Sequence, residues 1–257
     1  MTYIKLQGGL GNQLFQVAAA FAYSKKHKTE LYLDASEWHG SQGKNGFEYQ
    51  NTIFKNFKYD QRFCGDVEFP IYYNEKRFNY DPIPKYNLEE YGASHLSISG
   101  YFQSLKYFQD YKDEFIEMLE LPNPHYHPEP DDVGIHIRRG DYLVHSHIHH
   151  VCDYEYFTNA LDLFPEAKNV NIFTDAKDTS RDGIFQLGDS ARIIDGGDEL
   201  IDFTLLSRHA NIIASNSSFS WWASLIGEPK NKIVVPKIWF KNFENHDDIY
   251  RDEFIRI

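Results

Sequence analysis

The sequence predicts an α/β protein built as two Rossmann-like domains facing across a cleft, and three observations carry that expectation. The chain opens as strand, glycine loop, helix and strand, which is the start of a Rossmann-like half. Four prolines between Pro122 and Pro130 interrupt it near its middle and favour an extended connector over a helix. Beyond them, short β-branched runs alternate with helical patterns, the signature of a parallel sheet with helices on both faces. The expected division is 1–121 for an N-terminal Rossmann-like domain, 122–131 for the connector and 132–257 for a C-terminal Rossmann-like, ligand-binding domain.

The elements follow from local pattern. Tyr3–Gln7 is predicted as the first strand, and Gly8-Gly9-Leu10-Gly11 as a loop. A helix is predicted over Asn12–Lys28, with Leu14, Phe15, Ala18 and Ala22 on its apolar face, then a strand over Leu31–Leu33. Residues 36–95 mix Asn, Tyr, Phe and charge without a clean period, so short helices and long loops are expected there. Next come a predicted strand at Leu96–Tyr101 and a predicted helix at Leu105–Leu119. In the second half, strands are predicted at Val133–Ile137, Val170–Phe173, Ala191–Ile194, Asn211–Ala214 and Lys232–Val235. Helices are predicted at Tyr154–Leu163, Leu200–Arg208 and Phe219–Ile226.

Composition narrows the function. A net charge of −12 argues against nucleic acid as a partner, because such binders carry a basic field. Against that acidic background a local pair of arginines stands out as a focused site. The aromatic share of 16% is high, which suits core mass and also clefts that stack sugars or bases. No long apolar leader and no run of 18 apolar residues occurs, so neither a signal peptide nor a membrane span is expected. Cys64 and Cys152 show no disulfide or zinc spacing, and a reduced, cytoplasmic setting is the default expectation.

Five segments carry candidate chemistry. The most informative is Val133 to Tyr142, where a buried strand runs into Arg138, Arg139, Gly140 and Asp141. Ligands of α/β sheets bind at strand mouths, and paired guanidiniums fork onto phosphate oxygens. His136 and Arg138 share one face of that strand and the isoleucines the other. The plainer account is that the arginines pair with carboxylates, with Asp141 holding Arg139. The glycine loop offers close backbone approach and free N–H groups, with Asn12 and Gln13 placed to bond sugar hydroxyls; an ordinary tight turn is the alternative.

In Ser215-Asn216-Ser217-Ser218-Phe219, a strand empties into small polar residues at a helix start, a phosphate cradle or simply an N-cap ahead of the buried Trp221 and Trp222. Asp175 follows a strand in Phe173-Thr174-Asp175-Ala176-Lys177-Asp178, where it can accept from a ribose hydroxyl or base N–H, or cap the next helix. The histidines at 145, 147, 149 and 150, with His125 and His127, can bind metal or form a solvated, acceptor-facing loop, and the second is favoured.

Together these blocks resemble the GDP-fucose fucosyltransferase superfamily, and within it the α-1,2-fucosyltransferases of glycosyltransferase family 11. The resemblance rests on the segments Gly8 to Gln16, His136 to Tyr142, Phe173 to Asp175 and Ser215 to Ala223, which come in the family's order. It implies a GT-B fold whose C-terminal half binds GDP-fucose. It also implies an inverting transfer of L-fucose from GDP-β-L-fucose to the 2-hydroxyl of a terminal galactose in a glycan. By the same resemblance His136 and Asp175 contact the nucleotide, Arg138 and Arg139 hold the diphosphate, Ser217, Ser218 and Phe219 cradle it, and Asn12 reaches from the other domain. The partners implied are GDP-fucose and a galactose-terminated oligosaccharide, with work at the inner face of the membrane on lipid-linked acceptors as the expected setting.

No Asp-x-Asp triplet occurs, so two arginines and a helix N-terminus are expected to meet the leaving charge with no cofactor and no metal. Each such contact is worth about 2.7–4 kcal/mol in the transition state. A base must lie within about 2.6–3.2 Å of the acceptor hydroxyl. Asp141 is the first candidate, equally readable as an arginine bracket, with His145, Asp153 and Glu155 in reserve. Two alternatives stand beside this reading: another GDP-sugar-dependent transferase, including one that fucosylates protein, and a non-catalytic nucleotide- or sugar-binding protein.

Overall fold

The computed structural model describes residues 1–35, 46–59, 70–147, 149–176, 179, 183–227, 229–241 and 246–257. It divides the chain into two units, Met1–Leu121 with Asn245–Tyr250, and Pro122–Glu244 with Arg251–Ile257. The sequence reading gave all of 132–257 to one domain, whereas here residues 245–250 go with the first unit. The physical reason is local: the Asp248 carboxylate accepts from the Tyr80 N–H at 2.8 Å and pairs with Lys106.

In the first unit the strands are β1 (Thr2–Lys5), β2 (Leu31–Asp34), β3 (Ile71–Asn74) and β4 (Leu96–Ser99). They pair in the order β2-β1-β4-β3, all parallel, with Ile4 beside Leu33 and Ile98. The helices are α1 (Leu10–His27), the single turn α2 (Gly46–Tyr49) and α3 (Lys112–Met118). Helix α1 is buried almost continuously from Leu10 to Ser24, so it is a core helix with no wide polar face. It ends where Lys28 turns left-handed at φ 56°, with Lys25, Lys26 and His27 in the last turn complementing the helix dipole.

The predicted helix at 105–119 breaks into 3-10 turns at Leu105–Tyr107 and Gln109–Tyr111 ahead of α3. Ser104 caps the first by accepting from Lys106 N–H at 3.2 Å, and Phe108 leaves helical geometry at φ −138°. That break lets Phe108 pack on Phe15 while Phe115 packs on Phe21, at centroid distances of 6.2 and 5.8 Å.

In the second unit the strands are β5 (Val133–Ile137), β6 (Val170–Thr174), β7 (Ala191–Ile193), β8 (Asn211–Ile213), β9 (Lys232–Val235) and β10 (Phe254–Arg256). Between them run α4 (Gly140–Val144), α5 (Tyr154–Leu161), α6 (Glu199–Ser207) and α7 (Ser218–Ala223). The order is β10-β9-β8-β5-β6-β7, all parallel. Counted from β5, this is the doubly wound order in which the chain runs outward one way, returns to the centre and runs outward the other. The reversal lies between β5 and β8. The core is continuous beneath it, with Val133, Ile135, Ile137, Ile172, Ile213 and Val234 packed among Phe157, Phe164 and Tyr156.

The proline segment is tied to the second unit. The Arg208 guanidinium donates to the carbonyls of Pro124 and Tyr126 and to Asn123 Oδ1, at 2.5, 2.9 and 2.6 Å. Beneath it the Asn171 amide donates to Tyr126 Oη at 3.0 Å and to His209 Nε2 at 2.9 Å, while His209 Nδ1 donates to Leu205 O at 2.9 Å. Those contacts fix a neutral imidazole, because an Nε2 proton would face the Asn171 donor. Burial pushes the His209 pKa down to about 4.

Two predictions follow from this architecture. The strand predicted to reach Tyr101 stops at Ser99, because Gly100 and Phe102 take φ 152° and 53°. The Glu75 carboxylate holds that turn by accepting from Tyr101 N–H at 2.7 Å and Phe102 N–H at 3.0 Å. Glu75→Ala leaves both donors without it and should cost about 1–3 kcal/mol in urea unfolding. An unchanged midpoint and slope would remove Glu75 from this role. For His209, the folded pKa lies below the unfolded value near 6.5, so its stabilisation is full above the unfolded pKa and is lost as pH falls toward 4. Between pH 7 and pH 5 wild type should therefore lose about 2 kcal/mol more than His209→Gln, and equal losses would refute the neutral buried ring.

Candidate functional site

The carboxyl ends of β5 and β8 flank the point of reversal, the place where open α/β sheets bind ligands. Ser215 laces the two strands together just past their ends. Its N–H and hydroxyl both donate to the His136 carbonyl, at 3.1 and 2.8 Å, and its Oγ accepts from Arg138 N–H at 3.0 Å. The two candidate segments found in the sequence are thus adjacent through backbone and side chain alike.

His136 does not present an open face as the strand alternation suggested. It is 4% exposed and stacks on Phe219 with centroids 5.0 Å apart. Burial, then the charge of Arg138, push its pKa down to about 3, so the ring is neutral in water of ordinary pH. Its Nδ1 is buried with no partner inside the protein, an uncommon state for a polar atom.

Arg138 is the centre of the charge pattern. Its guanidinium bonds Asp141 at 2.5 Å and Asp175 at 3.0 Å. Burial works against this charge, but Asp175 and Asp141 together outweigh it and hold the pKa above the usual guanidinium value. Asp175 also accepts from Arg139 N–H at 2.7 Å, which ties the end of β6 to the turn after β5. A Cβ on Gly140 would lie 2.2 Å from an Asp175 oxygen, so any other residue there displaces that carboxylate. Two sequence expectations change here. Asp141 brackets Arg138, three residues back, because α4 starts at Gly140 and turns Asp141 over it. Asp175 sits within the arginine turn and its two oxygens reach different arginines. Arg139 points its guanidinium to the Cys152 carbonyl at 3.4 Å.

The serine turn forms the other wall. Ser217 caps α7, its Oγ accepting from Phe219 N–H at 3.3 Å, and the Ser220 hydroxyl reaches back to the Ser215 and Ser217 carbonyls. Ser218 and Phe219 remain half-buried at the rim, while Trp221 and Trp222 are core. Tyr142, Cys152 and Asn216, which sequence reasoning passed over, support the turn. Tyr142 Oη donates to Asn216 O at 2.9 Å, and the Asn216 amide donates to Trp239 O at 2.7 Å. The Cys152 thiol donates to Asn216 Oδ1 at 3.7 Å, and burial pushes its pKa up to about 12, which makes it inert. The position of Tyr142 directly after the arginine segment was the available signal for it.

The remaining candidates fall elsewhere. Asn12 lies in the first unit and accepts from Gln103 Nε2 at 2.7 Å. Gln13, 1% exposed, donates to Gly8 O at 2.9 Å and is spent on the glycine turn, not offered to hydroxyls. Asp153 caps α5 by accepting from Tyr156 N–H at 2.9 Å, while Glu155 and His145 are exposed. Among the described residues no three His, Cys, Asp or Glu side chains converge to hold a metal ion, and no helix is long and apolar enough to cross a membrane. Cys64, Lys177 and Asp178 lie outside the described residues.

Three kinds of comparison bear on this geometry. The chain is 27% identical to an alpha-1,2-colitosyltransferase of Escherichia coli over 98% of its own length and 97% of that protein's. It is 26% identical to a putative galactoside 2-alpha-L-fucosyltransferase of Caenorhabditis elegans, over 63% of its own length and 46% of the relative's. Its fold is shared with the fucosyltransferase NodZ from Bradyrhizobium, at a TM-score of 0.51 and 15% identity, over 88% of this chain and 93% of that one. NodZ has also been crystallised with GDP. This likeness assigns the chain the GT-B fold. The model of glycosyl transferase family 11 matches residues 73–257, which include the whole β5–β8 constellation, and the chain is therefore a glycosyltransferase of family 11.

Proposed function

We propose that the chain moves L-fucose from GDP-β-L-fucose to the 2-hydroxyl of a terminal galactose in a glycan, with inversion and without a metal. The observation that carries this reading is the joining of Arg138, Arg139 and the Ser215–Phe219 turn at the reversal of a doubly wound sheet. That place suits a nucleoside diphosphate, and the names of two relatives pair a 1,2 linkage with a deoxy sugar.

The chemistry follows from the side chains. Departure of the diphosphate builds negative charge beside Arg138 and Arg139, and preorganised donors lower that barrier without moving. On the opposite wall Ser218 supplies a polar contact, while Ser217, by capping α7, holds that turn in shape. The half-buried Phe219, backed by His136, offers a flat face to the nucleotide, and the unpartnered Nδ1 of His136 gives it a polar atom to meet. Asp175 contacts the nucleotide through the same turn. We assign the acceptor proton to Asp141, which is 14% exposed beside Arg138. A carboxylate held against arginine suits a transition state with oxocarbenium character, where the hydroxyl loses its proton late. A lipid-linked acceptor at the inner face of the membrane fits the same reading.

A second reading has its own support. A relative matched along nearly its whole length is named for colitose, so a colitosyl donor is the specific alternative. Incubation with each donor and a β-galactoside, in EDTA, distinguishes these outcomes. GDP release and an α-1,2 product from the fucosyl donor are expected at an undiminished rate in EDTA. Preference for the colitosyl donor would transfer the assignment, and activity lost to EDTA and restored by a divalent ion would end metal independence. GDP binding with no transfer to any galactoside would leave a binding protein. Arg138→Ala should lower kcat roughly 10²–10³-fold if its guanidinium acts as an oxyanion donor, measured as initial GDP release.

A further inference from the structure

The histidines that follow the arginine turn are unused by the proposed reaction, and one of them occupies a particular place. His149 lies face to face with Tyr142, the ring centroids 4.1 Å apart and the planes within 6° of parallel. Arg138 also lies over the Tyr142 ring, its guanidinium carbon 5.3 Å from the ring centroid. Guanidinium and imidazole thus both pack on one phenol, and Phe240 lies 6.3 Å from His149. A backbone bridge between His149 and Phe240 sets the imidazole's position, and Tyr142 Oη is fixed on Asn216 O at 2.9 Å. The buried Nδ1 of His149 has no hydrogen-bond partner. That atom brings no polar contact, so the ring is present for its face.

We propose that His149 is a positioning residue for Arg138, acting through Tyr142: its ring packs flat on the phenol and so holds that phenol in place against the guanidinium. Two ion pairs hold Arg138 in the plane of the guanidinium, and the stack limits it perpendicular to that plane. A planar group needs both constraints if its N–H vectors are to keep their aim. Because Tyr142 also bonds the serine turn, the stack keeps the arginine and the turn at a constant separation. The charged and titratable groups around the imidazole are Arg138, Asp141, Tyr142, His145 and His147.

This inference rests on the donor reading given above, so the experiment tests both. GDP affinity by calorimetry, steady-state kinetics and urea stability would be measured for wild type, His149→Ala and His149→Phe. His149→Ala should weaken GDP binding about tenfold and lower kcat, with KM for the acceptor and the urea midpoint close to wild type. His149→Phe, which keeps a flat ring and removes both nitrogens, should recover most of the loss. Wild-type GDP affinity and turnover in His149→Ala would overturn the proposal. So would a His149→Phe variant as impaired as His149→Ala, since the nitrogens would then be what matters. If wild type itself binds no GDP, the donor reading falls and takes this one with it; if wild type binds and His149→Ala is unaffected, only the stack falls.

Discussion

The pairing of Arg138 governs the second unit. A guanidinium only 21% exposed is costly to bury, and the cost is offset only if its charge is met at close range with good geometry. Asp141 and Asp175 meet it from different elements, α4 and the end of β6, so one ion cluster fixes three segments at once. The demand propagates outward. Asp175 can reach Arg138 and the Arg139 N–H only if residue 140 lacks a Cβ. Asp141 can reach back only if a helical turn begins at Gly140.

This arrangement alters what the arginine pair can do. Read alone, two adjacent guanidiniums are a dication that waits for a dianion. In the structure two carboxylates accompany them, and the local sum of those four charges is close to zero. Such a site does not attract a diphosphate by field strength, and in a chain of net charge −12 it has no long-range help. What it offers is aim: donors already oriented and backed, so that little reorganisation accompanies the growth of charge on a leaving group.

Much of this was legible, for definable reasons. β5 could be read because Val133, Ile135 and Ile137 alternate along it and all five of its positions are buried, and the regular spacing of β6, β8 and β9 pointed to a parallel sheet. The arginine segment and the serine turn could both be named because polar residues at a strand mouth have few structural uses. What could not be read was pairing in three dimensions. Asp141 is three residues from Arg138 and two from Arg139, and only the short helix α4, which has no periodic signal, decides between them. β3 escaped because Ile71-Tyr72-Tyr73-Asn74 looks like its polar surroundings, with Tyr72 exposed. The helix predicted at 105–119 had a sound apolar period, but Ser104 and Phe108 broke it locally. For Gln13 the ligand and the tight turn stood open side by side, because the pull of the Gly8 carbonyl is invisible in one dimension.

The serine turn is held on three sides, and that limits how specificity can vary. Its own hydroxyls close it from within, Asn216 ties it to Trp239, and α7 behind it is clamped by Arg251. Arg251 lies between Trp221 and Phe254, 4.9 and 4.4 Å from their centroids, and donates to the Ser224 carbonyl and hydroxyl. Burial lowers its pKa to about 10, which still leaves it charged at neutral pH. Under the proposed donor reading, a turn so constrained meets the part of a donor that stays the same and has little freedom to adapt to a changed sugar. Discrimination between donors that differ by one hydroxyl must therefore come from residues outside the turn. The exposed end of α4, where Leu143 and Val144 meet solvent beside the histidines, is the adjacent segment with the freedom to vary.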